Sequence, residues 1–370
     1  MKRILTILMT LVMLLAVAPF ALAQSEAGSA DAQKTEAQGD NQINPKKIIF
    51  AHLGDTYGWE LPFTHDVRLP LPIIVRGNDG SWRCFSSARL MNGAEYEGFK
   101  IASADDANYP SKVVEMVNGT EYRPLDLSIT KDVLALIISA LVVLACVFSL
   151  VRWYRRNPMK APRKGVGIIE VITQFVYDGV IVCTLGDKAK KFGPYLLTVF
   201  FLILFMNLLG LCVIFPAGAN LTGNIAITMF LAVCTFLLTN LFGTKHYWKD
   251  IFWPDVPLWL KFPIPIMPFI ELFGIFTKPF ALCVRLFANM MGGHMIVLVL
   301  TLLIFIFQAT MNSMVVTGAT TIVSVAFSLF MLLIDTLISF IQAYVFTMLS
   351  TLFISLAQEK GEKEQVIESK

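Results

Sequence analysis

A chain of 370 residues with 56% hydrophobic and only 15% charged side chains, and a mean hydropathy of +0.65, has too little polar surface to coat a soluble particle of its size, so it reads as an integral membrane protein. Its formal charge of +3 excludes the strongly basic balance of a nucleic-acid binder. Cys146, Cys183, Cys212, Cys234 and Cys283 fall in or beside apolar stretches, Cys84 stands alone in the polar region, and no CxxC spacing occurs, which excludes a zinc or redox site of that kind.

The first 23 residues have the parts of an export signal: Lys2 and Arg3, an apolar run from Ile4 to Val17, and Ala21-Leu22-Ala23 as a cleavage site. Residues 24–47 have the composition of a disordered linker. Residues 48–128 change texture. Leu71-Pro72-Ile73-Ile74-Val75, Asn78-Asp79-Gly80 and Trp82-Arg83-Cys84-Phe85 predict a strand, a turn and a strand, hence a small β-rich domain. Residues 24–126 hold 15 Asp and Glu against 10 Lys and Arg, a sign expected outside the cytoplasm.

Residues 129–359 are the membrane domain. An uncharged span from Val133 to Val151 precedes Arg152, Arg155, Arg156, Lys160, Arg163 and Lys164, a basic block that belongs in the cytoplasm by the positive-inside rule. Ile168, Ile169, Ile172, Phe175, Val176 and Val180 recur at helical spacing, with Glu170 and Asp178 elsewhere, predicting a helix on the cytoplasmic surface. A second span is expected from Pro194 to Pro216 and a third from Ile225 to Phe242, followed by an interfacial loop with Trp248, Trp253 and Trp259. Two apolar stretches remain, roughly 262–308 and 320–357, joined by a turn near Asn312 to Gly318. Both exceed the ~20 residues of a perpendicular span and must tilt or lie partly in the interface. The tail 360–370 is cytoplasmic. The fold class is an all-α membrane protein of five transmembrane helices, the last two long and tilted, with a cytoplasmic surface helix and a β-rich extracytoplasmic domain.

A charge at the centre of a spanning helix costs about 2.5–3.5 kcal/mol even on a lenient scale, so charges placed there mark function. The last two stretches carry Glu271, Lys278, Arg285, His294 and Asp335, with Asn289 and Gln342 as polar companions. At ~100° per residue, Glu271, Lys278, Asn289 and Gly292 share a stripe with Arg285, while His294 faces the opposite way; Asp335, Ser339 and Gln342 share a second stripe. Two separate aqueous paths are the geometric expectation. Arginine keeps its proton, so Arg285 acts as a fixed charge that would favour the ionised form of a membrane-buried carboxylate on another chain. His294, Asp335 and Glu271 are groups able to exchange protons. A static salt bridge of Arg285 to Glu271 or Asp335, and a snorkelling role for Lys278, are the plainer alternatives.

Phe276-Thr277-Lys278-Pro279-Phe280, then Val284-Arg285-Leu286-Phe287-Ala288-Asn289-Met290, then Ile341-Gln342-Ala343-Tyr344-Val345-Phe346 closely resemble the signatures of the a subunit of F-type ATP synthases, as do Asn207-Leu208-Leu209-Gly210-Leu211 and Asn224-Ile225-Ala226-Ile227-Thr228. The resemblance spans about 200–357. It implies that Arg285 is the family's essential arginine, Asn289 and Gln342 its polar neighbours, and Glu271 part of an aqueous half-channel. His294 stands where many bacterial members have Glu, and Asp335 where they have His, so an acid and a histidine have exchanged places. The implied function is a proton-conducting stator with two half-channels against a c-ring. Its inlet is lined by His294, Asp335 and Glu271, and its partners are the c-ring, the b subunit of the peripheral stalk, the rest of the complex and membrane lipid, with no nucleic acid, cofactor or metal. The bacterial inner membrane is the expected location. The rival class is a secondary transporter with an intramembrane Arg/acid site, which would normally show matched repeats.

Overall fold

The computed structural model describes residues 54–60, 68–102, 109–117, 120–158, 160–162, 165–211, 220–252, 266–311 and 314–358. The expected export signal, linker and tail lie outside these residues, as do Cys212, Pro216, Trp253 and Trp259.

Eight short strands build the N-terminal domain: β1 Gly58–Glu60, β2 Arg68–Pro70, β3 Pro72–Arg76, β4 Trp82–Ser86, β5 Phe99–Ile101, β6 Val113–Val117, β7 Thr120–Tyr122 and β8 Leu125–Asp126. Alternation puts Ile73 and Val75 of β3 inward, which sets the register. The expected hairpin forms with Ile73 opposite Phe85 and Val75 opposite Arg83. Gly80 closes its turn at φ +79°, a backbone that favours glycine. On its other edge β3 pairs with β8, while β5, β6 and β7 form a second antiparallel sheet and β1 pairs with β2. Ile73, Val75, Phe85, Leu90, Phe99, Val113 and Tyr57 pack together between them. The Tyr57 hydroxyl donates to the Asp126 carboxylate; burial first, and that charge second, push the phenol well above its ordinary value, so it stays a donor.

Seven longer helices follow: α1 Lys131–Arg156, α2 Gly165–Val176, α3 Ala189–Leu211, α4 Ile225–Leu241, α5 Lys245–Phe252, α6 Ile266–Met311 and α7 Met314–Ala357. Four helical stretches, 131–156, 165–211, 270–300 and 318–357, are long and apolar enough to cross a membrane, and α4 is a shorter apolar helix. The expected surface helix corresponds to α2, whose Ile168, Val171 and Phe175 are exposed. A π-helical turn, Tyr177–Val182, and short helical turns over 183–188 then connect it to α3. Gly193 permits that junction, since a Cβ there would lie 2.8 Å from the Tyr177 ring. The second span starts at Ala189, five residues before the expected Pro194, which lies inside the helix. Proline removes one backbone donor there, and the rest of the helix carries the loss. The last pair also differs in detail: α7 begins at Met314, so helix replaces most of the turn expected up to Gly318. With 46 and 44 residues, α6 and α7 are about 65–70 Å long at ~1.5 Å per residue, more than twice the ~30 Å hydrocarbon thickness, and cannot both stand upright.

Hydrogen bonds define the two ends of the bundle. At the domain end, Lys131 N–H donates to Thr56 C=O at 3.0 Å and Asn224 Nδ2 to Asp132 Oδ2 at 3.0 Å. At the far end, Thr244 N–H donates to Ala357 C=O at 2.9 Å, Ser355 Oγ to Thr184 C=O at 3.1 Å, and Lys188 Nζ to the Gln358 carbonyl. Between the ends, Leu196, Val199, Phe200, Ile203 and Met206 of α3 are fully buried and join Leu231 of α4, Leu286 of α6 and Phe346 of α7 in one core. By contrast, α6 and α7 leave Phe273, Phe276, Phe280 and Val284, and Phe330, Leu333, Leu337 and Ile341, exposed. A bare apolar face of this extent suits lipid or a protein partner.

Candidate functional site

Crossing of α6 and α7 brings the polar stripe of α7 against Asn289 and His294 of α6 around one small cavity. It is lined by Asn289, Gly293 and His294 of α6, Asp335, Ser339 and Gln342 of α7, and Asn207 of α3. Asn289 Nδ2 donates to Gln342 Oε1 at 2.7 Å. One helical turn further on, Gly293 meets Asp335: a Cβ at that glycine would lie 2.7 Å from both carboxylate oxygens, so only glycine lets the acid approach this closely. Asp335 is 8% exposed, and among the described residues its Oδ2 and the Gln342 Nε2 have no hydrogen-bond partner. Buried polar atoms left open towards a cavity mark the place of water, and this one has room for about one molecule. The α7 stripe therefore meets both faces of α6. Asn289 and His294, which the helical wheel places on different sides, line the same cavity because a crossing helix reaches across both.

Asn207 holds this cavity from below. It is 2% exposed, its Oδ1 accepts from Thr222 Oγ1 at 2.7 Å, and its Nδ2 donates to Ser339 C=O at 3.5 Å. Ser339 Oγ donates to Asp335 C=O at 2.7 Å. Thr222 follows Asn220, whose side chain caps its own short turn by accepting from Gly223 N–H at 3.0 Å. Neither Thr222 nor Asn220 stands out in the sequence, because an uncharged polar residue in a connecting turn carries no signal of burial.

Arg285 lies elsewhere. Together with Lys278 and Asn289 it is exposed on the bare face of α6, and among the described residues it forms no ion pair. A static salt bridge to Glu271 or Asp335 is thus not what holds these helices. Glu271 is 23 residues from His294 on one helix, about 34 Å along its axis, so it does not share the cavity lined by His294 and Asp335. It sits at the far end, where its charge, after burial, raises the Tyr247 phenol. A second cavity nearby is lined by Thr239, Asn240, Tyr247, Lys278 and Phe353, with the Lys278 ammonium 5.7 Å from the Phe353 ring centroid. Along α6, Arg285 thus falls between a cavity on the domain side and one on the far side. Among the described residues no cluster of three or more His, Cys, Asp or Glu could hold a metal.

Residues 133–355 match the family described as ATP synthase A chain, and residues 48–127 match a domain of unknown function, DUF8433. The ATP synthase subunit a of Myxococcus xanthus is 40% identical over 245 residues, covering 64% of this chain and 75% of the relative. The subunit a of an Anaeromyxobacter species is 34% identical over 359 residues, covering 93% and 76%, so its likeness runs through the N-terminal domain as well. That of Chlorobium phaeobacteroides is 41% identical over 246 residues, covering 64% and 67%. These comparisons lend no support to a secondary transporter. With the matched region taking in α1 to α7 and the cavity between the last two helices, the chain belongs to the ATP synthase A chain family, and it is a multi-pass membrane subunit a, the proton-translocating stator component of an F-type ATP synthase.

Proposed function

We propose that Arg285 divides two half-channels that open on the same bare face, where the carboxylates of a c-ring pass. The observation that carries this reading is an exposed guanidinium without an ion pair among the described residues, set in an apolar face between two polar cavities. Its charge favours the ionised ring carboxylate opposite it, and the apolar flanks favour the protonated one, so a ring site reaches Arg285 only after giving up its proton. The inlet is the cavity with His294, Asp335, Asn289 and Gln342. Its acid and histidine are the groups that exchange protons with water, and the Asn289–Gln342 hydrogen bond fixes its wall beside the arginine. The outlet runs along the far end past Lys278, Asn240, Tyr247 and Glu271.

The exposed Arg152, Arg155 and Arg156 at the end of α1 favour a cytoplasmic far end and an N-terminal domain outside the bacterial inner membrane. Five crossings satisfy this orientation if the 17 residues of α4 span a locally thin region between longer neighbours. The c-ring and the b subunit of the peripheral stalk are the direct partners, and the subunit is no enzyme on its own. A proton falling through 100 mV releases about 2.3 kcal/mol, so several must pass per ATP and a leak past Arg285 would dissipate the gradient. Arg285→Ala is expected to abolish proton-driven ATP synthesis in inverted vesicles while the assembled head still hydrolyses ATP. Normal coupled synthesis in that variant would remove the assignment.

A further inference from the structure

The N-terminal domain is joined to the membrane part by more than the short chain connection between β8 and α1. Trp59 of β1, 3% exposed, belongs to the same core as Ala135 and Leu136 of α1. Just before it, Asp55 Oδ1 accepts from the backbone N–H of Asp132 at 3.2 Å, capping the first turn of α1, where a negative charge meets the positive end of the helix. Asp132 is itself only 5% exposed and holds Asn224 at 3.0 Å. The two carboxyls are near enough for their charges to repel. Paired carboxyls of this kind tend to share a proton.

A route leads inward from this pair. Asn224 caps α4 by accepting from Ala226 N–H at 3.1 Å and donates its own backbone N–H to the Leu221 carbonyl, also at 3.1 Å. The turn so fixed carries Thr222, whose hydroxyl reaches Asn207, and Asn207 reaches the Ser339 carbonyl beside Asp335. Of the two carboxyls in this row, Asp55 is the one that keeps partial contact with solvent, while Asp132 is buried. Beside it the Thr130 side chain, 7% exposed, turns its hydroxyl towards the Asp55 carboxyl yet completes no hydrogen bond of ordinary geometry, which leaves a buried polar atom suited to water.

We propose that the N-terminal domain supplies the outermost carboxyl of the proton inlet: Asp55 takes a proton from outside water and passes it through Asp132 to water lying along Asn224, Thr222 and Asn207 towards Asp335. Each step is a plain transfer. An O–H bond forms on Asp55 as hydronium loses its proton, breaks as one forms on Asp132, and the proton leaves as hydronium on the inner side. Burial raises Asp55 above the usual carboxylate range against the opposing pull of Lys112 and Lys131, so it can hold a proton where free carboxylates have lost theirs. The groups facing it are Lys112 from the domain, Lys131 and Asp132 from α1, and Tyr57. This inference rests on the inlet placement proposed above and assigns a function to the domain matched by DUF8433.

The test uses the whole complex in inverted vesicles, whose lumen corresponds to the outside, with the membrane potential clamped. ATP synthesis by Asp55→Asn is compared with the unaltered complex at each lumen pH between about 5.5 and about 8.5. At the alkaline end, where protons are scarce and the acceptor limits, the variant should fall by roughly 3- to 10-fold. At the acid end the two should agree, and Asp55→Glu should restore the profile. A profile superimposable on that of the unaltered complex, or a uniform loss at every pH that Glu does not restore, overturns the inference and leaves Asp55 a docking contact. Arg285→Ala in the same vesicles separates the two readings: if it abolishes synthesis while Asp55→Asn changes nothing, only the role of Asp55 fails. If it leaves synthesis intact, the inlet reading fails first.

Discussion

Gly293→Ala adds one methyl group at the most confined point of the cavity. The new Cβ would lie 2.7 Å from Oδ1 and Oδ2 of Asp335 and 2.8 Å from its Cγ, against an ordinary contact of about 3.4 Å or more, so the carboxyl must retreat by about 0.7 Å or the helices must part. Overpacking of this size costs about 1–3 kcal/mol. Asp335 has little room to yield, being 8% exposed on a helix pinned through Ser339 to Asn207. Spent on the position of the proton-exchanging acid, the same energy lowers the rate by roughly 5- to 150-fold at ~1.4 kcal/mol per decade. Two measurements on the assembled complex check this: proton-driven ATP synthesis in inverted vesicles, and thermal dissociation of the purified complex. In a double-mutant cycle, Asp335→Ala removes the clashing atoms, so adding Gly293→Ala to it should change thermal stability by less than about 0.5 kcal/mol. A Gly293→Ala complex with normal synthesis and stability, or additivity in the cycle, would refute the close contact.

Further predictions concern the supports of the site. Asn207→Leu leaves the buried Thr222 hydroxyl without its acceptor and should destabilise the subunit by about 1–3 kcal/mol, read as a lower dissociation temperature. Trp59→Ala empties a buried aromatic site at the joint between domain and bundle and should weaken docking by about 3–5 kcal/mol, read as faster proteolysis of the N-terminal domain in intact vesicles oriented with it outward. Docking should also respond to pH. Because burial raises Asp55 in the docked state, its contribution is fully present below the ordinary carboxylate value and is lost as pH rises through the raised one. Protection from protease should therefore decline with rising pH, and Asp55→Asn should flatten the dependence.

Periodicity and the positive-inside rule found the hairpin around Asn78-Asp79-Gly80, the apolar helices and the polar residues of α6 and α7, because each signal lies within one element. Arg285 is conspicuous in the sequence because a guanidinium within an apolar helix is costly to hold there. Asp132 carries no signal in the sequence because it falls at the first turn of its helix, where an acidic residue is ordinary. Glu271 shares the stripe of Arg285 on a helical wheel, yet a wheel discards the rise along the axis, and ~34 Å of helix separates it from His294. Asn220 and Thr222 acquire meaning only where the turn that bears them closes over Asn207.

Sequence by itself determined that this chain lives in a membrane and which of its helices carry ionisable side chains there, since burying such groups in hydrocarbon is costly wherever it occurs. Only the tertiary structure decided which of those groups meet. The crossing of α6 and α7 sets Asp335 on Gly293 and Gln342 on Asn289 while leaving Arg285 bare, and the docking of the β domain sets Asp55 on Asp132. Those contacts depend on where two helices cross and where a domain comes to rest, which is settled by packing between elements distant in the chain and is not carried by the pattern within any one of them.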